Sequence, residues 1–483
     1  MESKALHVRV KRRSHGGTRE HHTAAGFRNP WPSWQRPTAA ESASSLQWGQ
    51  DDDPCVPLAA SHLENPRPPK PEPGRLPSFG DIGDWPNSMG AQAAQLLKLE
   101  DPDFSFSPSS RAKATWLGHA SVLVQLPPLL PAGRPVRCLF DPMFSMRCSP
   151  IQSFGPIRSY PPPCAPEALP PIDVVMISHN HFDHLEPESI ATLWRINKDH
   201  IRFLVPLGNK EWFINTGIAE TSIEELDWWD TALLSHEPDE SQPLVITCTP
   251  VQHSSGRALL DTDATLWSSW FLEHPSPEPY RVFFAGDTGY QFHPSPLWPP
   301  PPPPELLTPG SGKPTRGAVL QEDGEENPAP SCPAFAEIRR SLGRPHLLLL
   351  PVSVGATYAY LRSLVPLPNA LNPFPRHTDG VSAATHLPPW DAVKVFNIMT
   401  EPEEGSSLAT EPSGVAERPS VAVAMHWGTF VTDPVEVLRT LGRLEWACVA
   451  QGMEFARRLG GDGGVDGKRR VFLALNQGQS IET

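Results

Sequence analysis

The sequence predicts an α/β fold in which two β-sheets pack together with helices outside them. Three observations predict it. Apolar strand-like runs alternate with helix-like segments, in two halves, over residues 105–483. Several of those strands end directly in a histidine or an aspartate. Proline, 60 of 483 residues and roughly twice its usual share, gathers in clusters that punctuate the pattern instead of running through it.

Residues 1–104 are polar, rich in Pro and Gly and without sustained apolar periodicity, so they read as a mostly disordered basic tail. Within it, Gly26-Phe27-Arg28-Asn29-Pro30-Trp31-Pro32-Ser33-Trp34 sets aromatic rings among prolines, which predicts docking, on the chain's own domain or on a lipid interface. Order starts near Ala114. Thr115 to Leu126 has strand composition, and Val136 to Phe140 is its expected partner, ending at Asp141-Pro142. An aspartate there can orient a ligand histidine, or simply make a turn. His119 reads as a structural histidine near the cleft.

Asp173 to Ile177 reads as a short buried strand that stops abruptly at Ser178-His179-Asn180-His181-Phe182-Asp183-His184. On an extended segment residues two apart share a side, so His179, His181 and Asp183 can converge. His184 faces elsewhere unless the chain turns or a second ion lies beside the first. A helix follows from Pro187, then strands over 202–206, 223–229, 244–250, 267–271 and 281–285. Two of these run into His253 and Gly286-Asp287-Thr288. Residues 291–331, with unbroken proline over 299–304, and 386–419 read as low-complexity insertions. Leu347 to Leu350 and Val421 to Met425 are further core strands, the latter ending at His426; a helix over 434–450 and a strand over 470–475 close the domain.

The strand ends thus supply His179, His181, Asp183, His184, His253, Asp287 and His426. Imidazole and carboxylate donors suit zinc, with iron or manganese as competitors. Seven donors exceed one tetrahedral site and Asp287 can bridge, so two ions about 3.5–4 Å apart are expected. One takes His179, His181, His253 and Asp287, the other Asp183, His184, Asp287 and His426. A hydroxide between two such ions attacks phosphorus or carbonyl carbon without a serine or cysteine nucleophile. Asp183 and Asp287 then belong to the catalytic machinery.

The order His-x-His-x-Asp-His, His253, Gly286-Asp287-Thr288, His426 resembles the metallo-β-lactamase superfamily, which implies an αββα sandwich. Within it the chain is similar to the phospholipases D that hydrolyse N-acylphosphatidylethanolamine, through Phe27 to Pro32, Thr115 to Ala120, Leu169 to Asp173, Leu226 to Trp229, Gly286 to Tyr290 and His426 to Phe430. The resemblance implies release of an N-acylethanolamine and phosphatidic acid, a phospholipid substrate and peripheral membrane contact, with a homodimer left open. It also implies that His377, in His377-Thr378-Asp379, contacts substrate or moves a proton. Gln152 is a candidate substrate contact, although Ser153 stands where the family has a tyrosine. A dimetal hydrolase of a soluble ester, lactone or phosphodiester is the rival reading.

Composition bounds the rest. A net charge of -14 argues against nucleic acid as the partner. The first forty residues run the other way, with eight Lys or Arg against two Glu, as expected of a membrane-touching tail or a mitochondrial address. Seven scattered cysteines with no Cys-x-x-Cys pair make neither a disulfide framework nor a zinc-cysteine site. With no apolar run of about 18 residues, the expected place is intracellular, cytoplasmic with peripheral membrane association.

Overall fold

The structure, a computed structural model, describes residues 5–13, 19–44, 46–47, 53, 55–60, 62, 93–130, 133–236, 242–258, 260–275, 278–293, 329–352, 371–373, 377–378, 382–401, 420–431, 435–459 and 470–483. Two sheets carry the fold. The first has seven strands in the order Ile223–Leu226, Arg202–Pro206, Val174–Met176, Val136–Phe140, Val122–Leu126, Lys113–Trp116, Ser480–Glu482. The second has nine: His7–Lys11, Thr231–Ser235, Leu244–Thr249, Ser269–His274, Tyr280–Phe284, Leu347–Pro351, Ser420–Met425, Arg470–Leu473, Glu454–Ala456. The sandwich predicted from sequence is therefore what forms.

The strands at the centre are apolar on both faces because each sheet is covered twice, by the other sheet within and by helices without. Val174–Met176, Leu347–Pro351 and Ser420–Met425 are buried at every position. Phe140 of one sheet stacks on Phe284 of the other, ring centroids 4.4 Å apart. Outside lie Pro187–Asn197 on the first sheet and Ala334–Leu342, Pro389–Thr400 and Val435–Ala450 on the second. Val136–Phe140, Val174–Met176 and Arg202–Pro206 are mutually parallel, as are Tyr280–Phe284, Leu347–Pro351 and Ser420–Met425. Their C-terminal ends consequently open on one edge, where the candidate donors sit.

The described parts of the tail are not without structure. His7–Lys11 adds an antiparallel strand beside Thr231–Ser235, with Val8 opposite Leu234 and Val10 opposite Ala232. Its alternating half-buried pattern is the period-2 signature of an edge strand, too short to stand out among polar neighbours. Arg12 pairs with Asp230 at 2.7 Å and Arg13 lies over the Trp229 ring, so these charges serve the chain's own domain. Farther on, Val56–Ala60 packs on Val435–Ala450, where Asp53 accepts Arg443 Nε at 2.5 Å. Nor is 386–419 simply an insertion. Pro389–Thr400 is a helix started by proline in its first turn, with Val393, Val395, Phe396 and Met399 buried. Residues 402–419 and 294–328 lie outside the described residues.

At Gly442 a Cβ atom would lie 1.9 Å from the Cys55 carbonyl oxygen, so the two helices touch through a residue without a side chain. Gly442→Ala is expected to cost about 1–3 kcal/mol through overpacking, read as a lower urea midpoint. An unchanged midpoint would show that the Val56–Ala60 helix is not held there.

Candidate metal centre

The site is built where the two sheets' open edges meet. Ser268 N donates to Ser178 O at 2.9 Å and Trp270 Nε1 to Ile177 O at 3.0 Å, tying the first sheet's motif to the second sheet. Gly286 is obligatory at this junction. Its φ of +60° suits glycine, and a Cβ there would come within 2.6 Å of the Ser178 Cβ. Three non-glycine residues at the site also hold positive φ: His119, Asp141 and His426. Such backbone persists only where surroundings over-determine it.

Asp141, at the end of Val136–Phe140, does orient a candidate ligand. It accepts from Ser178 N at 2.7 Å, Ser178 Oγ at 2.5 Å and His184 Nδ1 at 2.7 Å. His184 is thereby left presenting Nε2 to the site, the arrangement by which a carboxylate fixes a ligand's tautomer. The chain turns at His181, with His184 N and Leu185 N both bonded to His181 O, which brings His184 round to the side of its neighbours. His179 uses Nδ1 on Ser178 Oγ at 2.9 Å, and its Nε2 lies 2.8 Å from His181 Nδ1. His253 gives Nδ1 to the Thr385 carbonyl at 2.9 Å, so it too shows Nε2.

Asp287 occupies the middle. One oxygen is 3.1 Å from His426 Nε2; the other is 3.1 Å from His184 Nε2, 3.3 Å from His386 Nε2 and 3.9 Å from His253 Nε2. Asp183 Oδ2 stands 3.7 Å from His184 Nε2 and 3.8 Å from His426 Nε2. Donor atoms of His179, His181 and His253 fall within 4.8 Å of one another, as do those of His179, His184 and Asp287, and those of Asp183, His184 and His426 together with His119. All seven residues named from sequence thus lie close together around Asp287, and donor atoms of His253, Asp287 and His386 also fall within 4.8 Å of one another.

Burial supplies the test of whether these residues fit ions. His184 Nε2, His253 Nε2, His426 Nε2 and Asp287 Oδ1 are buried and, among the described residues, have no aligned hydrogen-bond partner. Leaving four such atoms unsatisfied costs on the order of 1–3 kcal/mol each. They are close together but aim past one another into shared space, as donors to a cation do. An imidazole and carboxylate set of this kind fits divalent metal.

The electrostatics agree. Burial, reinforced by neighbouring imidazoles, holds His179 and His253 well below the usual histidine range, and His181 down to about 4, so all three are neutral and ready to coordinate. Burial also lowers His184 and His426, but the facing Asp287 and Asp183 outweigh it: His184 is raised well above the usual range and His426 pushed up to about 9. Burial raises Asp183 and Asp287, but the histidines outweigh it and keep both well below the usual carboxylate range. In the metal-free protein at pH 7, below the raised values, His184 and His426 therefore carry protons that an incoming ion must displace. Loading stripped protein at pH 7 is expected to expel at least two protons per chain, from His184 and His426, besides any released by a metal-bound water. Calorimetry in buffers of different ionisation enthalpy reads the number, which falls above about pH 9 as His426 becomes neutral by itself. Heats identical in every buffer would contradict this.

Sequence reasoning placed other residues less well. Of His377 only the backbone is described, in a two-residue pairing with Leu46–Gln47; its side chain lies outside the described residues. His386, nine positions later, is at the site, its side chain 16% exposed beside Asp287. Gln152 is exposed on the loop after Met143 and closes on its own neighbour, accepting from Arg147 N at 3.1 Å and donating to Arg147 O at 2.9 Å. His119 was underrated. Its Nε2 is 3.0 Å from Asp183 Oδ2, its N–H donates to Thr429 Oγ1 at 2.7 Å, and its carbonyl accepts His426 N at 2.9 Å.

The stretch that carries most of these donors is also similar to known proteins. Residues 136–295 match the family model of the beta-lactamase superfamily domain. The fold is of the metallo-β-lactamase type. That match includes Asp141, the His179 to His184 motif, His253 and Asp287, while His386 and His426 lie beyond it. An uncharacterized protein of Mycobacterium tuberculosis is 36% identical over 41% of this chain and 48% of its own length. The Caenorhabditis elegans protein named N-acyl-phosphatidylethanolamine-hydrolyzing phospholipase D 1 is 37% identical over 38% of this chain and 49% of its own. A Saccharomyces cerevisiae protein of the same name, designated mitochondrial, is 37% identical over 32% of this chain and 31% of its own. The chain thus spans about half the length, or less, of these curated relatives. Among solved structures, CmlA, a diiron β-hydroxylase from Streptomyces venezuelae, is similar with a TM-score of 0.39 and 14% identity, over 83% of this chain and 57% of that one.

Proposed function

We propose that the chain is a zinc-dependent phosphodiesterase of the phospholipase D type, hydrolysing N-acylphosphatidylethanolamine to N-acylethanolamine and phosphatidic acid. The observation that carries the reading is that buried Nε2 atoms of His184, His253 and His426 crowd within 3.9 Å of the Asp287 carboxylate without aligned hydrogen bonds to it. The names of two relatives supply the substrate class. His179, His181, His253 and Asp287 would hold one ion, and Asp183, His184, Asp287 and His426 the other. Bound there, such ions supply a water that ionises near neutral pH and positive charge for the transition state.

The chain's own residues do the rest. Asp141 and the Thr385 carbonyl lock the ring orientations of His184 and His253. His119 steadies the Asp183 carboxylate. His386, at the partly exposed margin of the site, is placed to meet the substrate's phosphate or to pass a proton to the departing oxygen. Exposed Met146, Ile151 and Phe154, on the loop after Met143, support a lipid surface as the approach side. Met143 and Cys148 of that segment pack with Phe430, against Phe182 of the His motif. Among the described residues no helix is long and apolar enough to cross a membrane. The accompanying proposal is a cytoplasmic protein in peripheral contact with membrane.

The test is a product assay of the metal-loaded protein with N-acylphosphatidylethanolamine in vesicles and with a soluble bis-phosphodiester side by side. Phosphatidic acid is expected from the lipid, with the soluble compound turned over far more slowly. Turnover of the soluble compound alone would replace the lipid reading with the soluble-substrate one.

A further inference from the structure

We propose that the N-terminal strap, residues 19–34, is a working part of the metal centre, with Asn29 as a positioning residue for His253, so that strap docking and ion binding by His179, His181 and His253 are coupled. The proposal rests on the dimetal reading above.

Asn29 grips the backbone of a candidate ligand at both ends. Its Nδ2 donates to His253 O at 2.6 Å, and His253 N donates to its Oδ1 at 3.1 Å. A side-chain amide here replaces the partner strand that His253, just past Leu244–Thr249, no longer has. One residue earlier, Ser33 Oγ donates to Gln252 Oε1 at 2.5 Å, and Gln252 Nε2 donates to Ala384 O at 2.9 Å. The Gln252 carbonyl accepts Gly289 N at 2.7 Å. Strap, His253, the segment leading to His386 and the segment after Asp287 are therefore joined through two adjacent residues. The His253 ring is fixed by Thr385 and its main chain by Asn29. Nothing in the loop itself does either.

The strap has its own anchor, far along the sequence from any candidate ligand. Asp227 is buried and accepts from His21 Nε2 at 2.7 Å, His22 Nε2 at 2.9 Å, Trp228 N at 2.8 Å and Arg19. Trp31 stacks on Trp228 with centroids 5.4 Å apart, and His21 stacks on the same ring at 4.2 Å. Gly26 lets the strap turn against the loop 255–265: its φ is +149°, and a Cβ there would lie 2.2 Å from Asp263 O. Phe27 N then donates to that same oxygen at 2.8 Å. His21, His22 and Asp227 do offer three donor atoms within 4.8 Å. With four N–H groups already on its two oxygens, however, Asp227 serves as the strap's mooring and not as an ion ligand.

Coupling of this kind is reciprocal: a strap that tightens an ion is itself tightened by the ion to the same degree. Loss of a group that orients a ligand typically costs about 10–100-fold in metal affinity. Chelator competition on the full-length protein is expected to show that loss for one of two ions in Asn29→Ala, and again in Asp227→Ala, where the strap is unmoored. Asn29→Asp, which still accepts from His253 N, is expected to fall between. In the unmodified protein, stripping the ions is expected to speed hydrogen exchange at the Phe27 and Arg28 amides, which bond Asp263 O and His21 O. Two ions held equally tightly in both alanine variants, or strap exchange indifferent to stripping, would overturn the coupling. If the variants fail to fold, the exchange measurement on the unmodified protein decides. An unmodified protein that binds no ions would instead bring down the dimetal reading itself.

Discussion

Asp287→Asn is expected to abolish hydrolysis and to empty the site of metal. One oxygen lies 3.1 Å from His426, and the other 3.1 Å from His184 and 3.9 Å from His253. The carboxylate is thus the one negative charge shared by both donor groups. An amide keeps the shape but supplies neutral oxygen to two dications, and the loss in affinity is expected to exceed about 100-fold, more than that for an orienting neighbour. The same change removes the main partner that keeps His184 and His426 protonated in the stripped protein. Fewer protons should then be expelled on loading. Elemental analysis of the purified variant checks the first point. Two ions and full turnover would refute the shared role of Asp287.

His386→Ala is expected to cut turnover by on the order of 10²-fold while leaving metal content at the level of the unmodified protein. Its imidazole has a path to the solvent side that the other histidines around Asp287 lack, and its Nδ1 sits 3.0 Å from Thr385 Oγ1. A group so placed acts on what enters the site. The split between turnover and metal content distinguishes it from a ligand: if His386→Ala loses an ion, it coordinates, and the assignment of four donors to each ion has to be redrawn. The matching change His377→Ala, at the residue the sequence favoured, is expected to have the smaller effect on turnover.

The difference between those two histidines shows what a sequence makes visible. His179, His253, Asp287 and His426 each come within a few residues of the end of a short, mostly apolar strand, and a metal-binding side chain just past such a strand is a local signal. His386 has no strand before it. It precedes a helix that begins on proline, in a region flanked by polar, proline-rich runs, and only the spacing of Ala392, Val395, Phe396 and Met399 could have announced that helix. The N-terminal segment was hidden for a different reason. His7–Lys11 is stabilised by pairing with Thr231–Ser235, and Asn29 by a peptide at His253, so their order is a property of contacts across more than two hundred positions. No local composition reports such contacts. The aromatic words around Trp31 did predict docking, and the ring stack on Trp228 gives the surface. Gln152 illustrates the opposite case: a residue singled out by resemblance, whose amide the structure closes on the backbone of its own loop.

The account's central claim is that two groups of donors meet across Asp287 to hold a pair of divalent ions. Elemental analysis of the unmodified protein, purified without chelator, measures this most directly. Close to two ions per chain is the result predicted, falling sharply in Asp287→Asn. A protein that retains one ion or none after incubation with zinc, iron or manganese would contradict it.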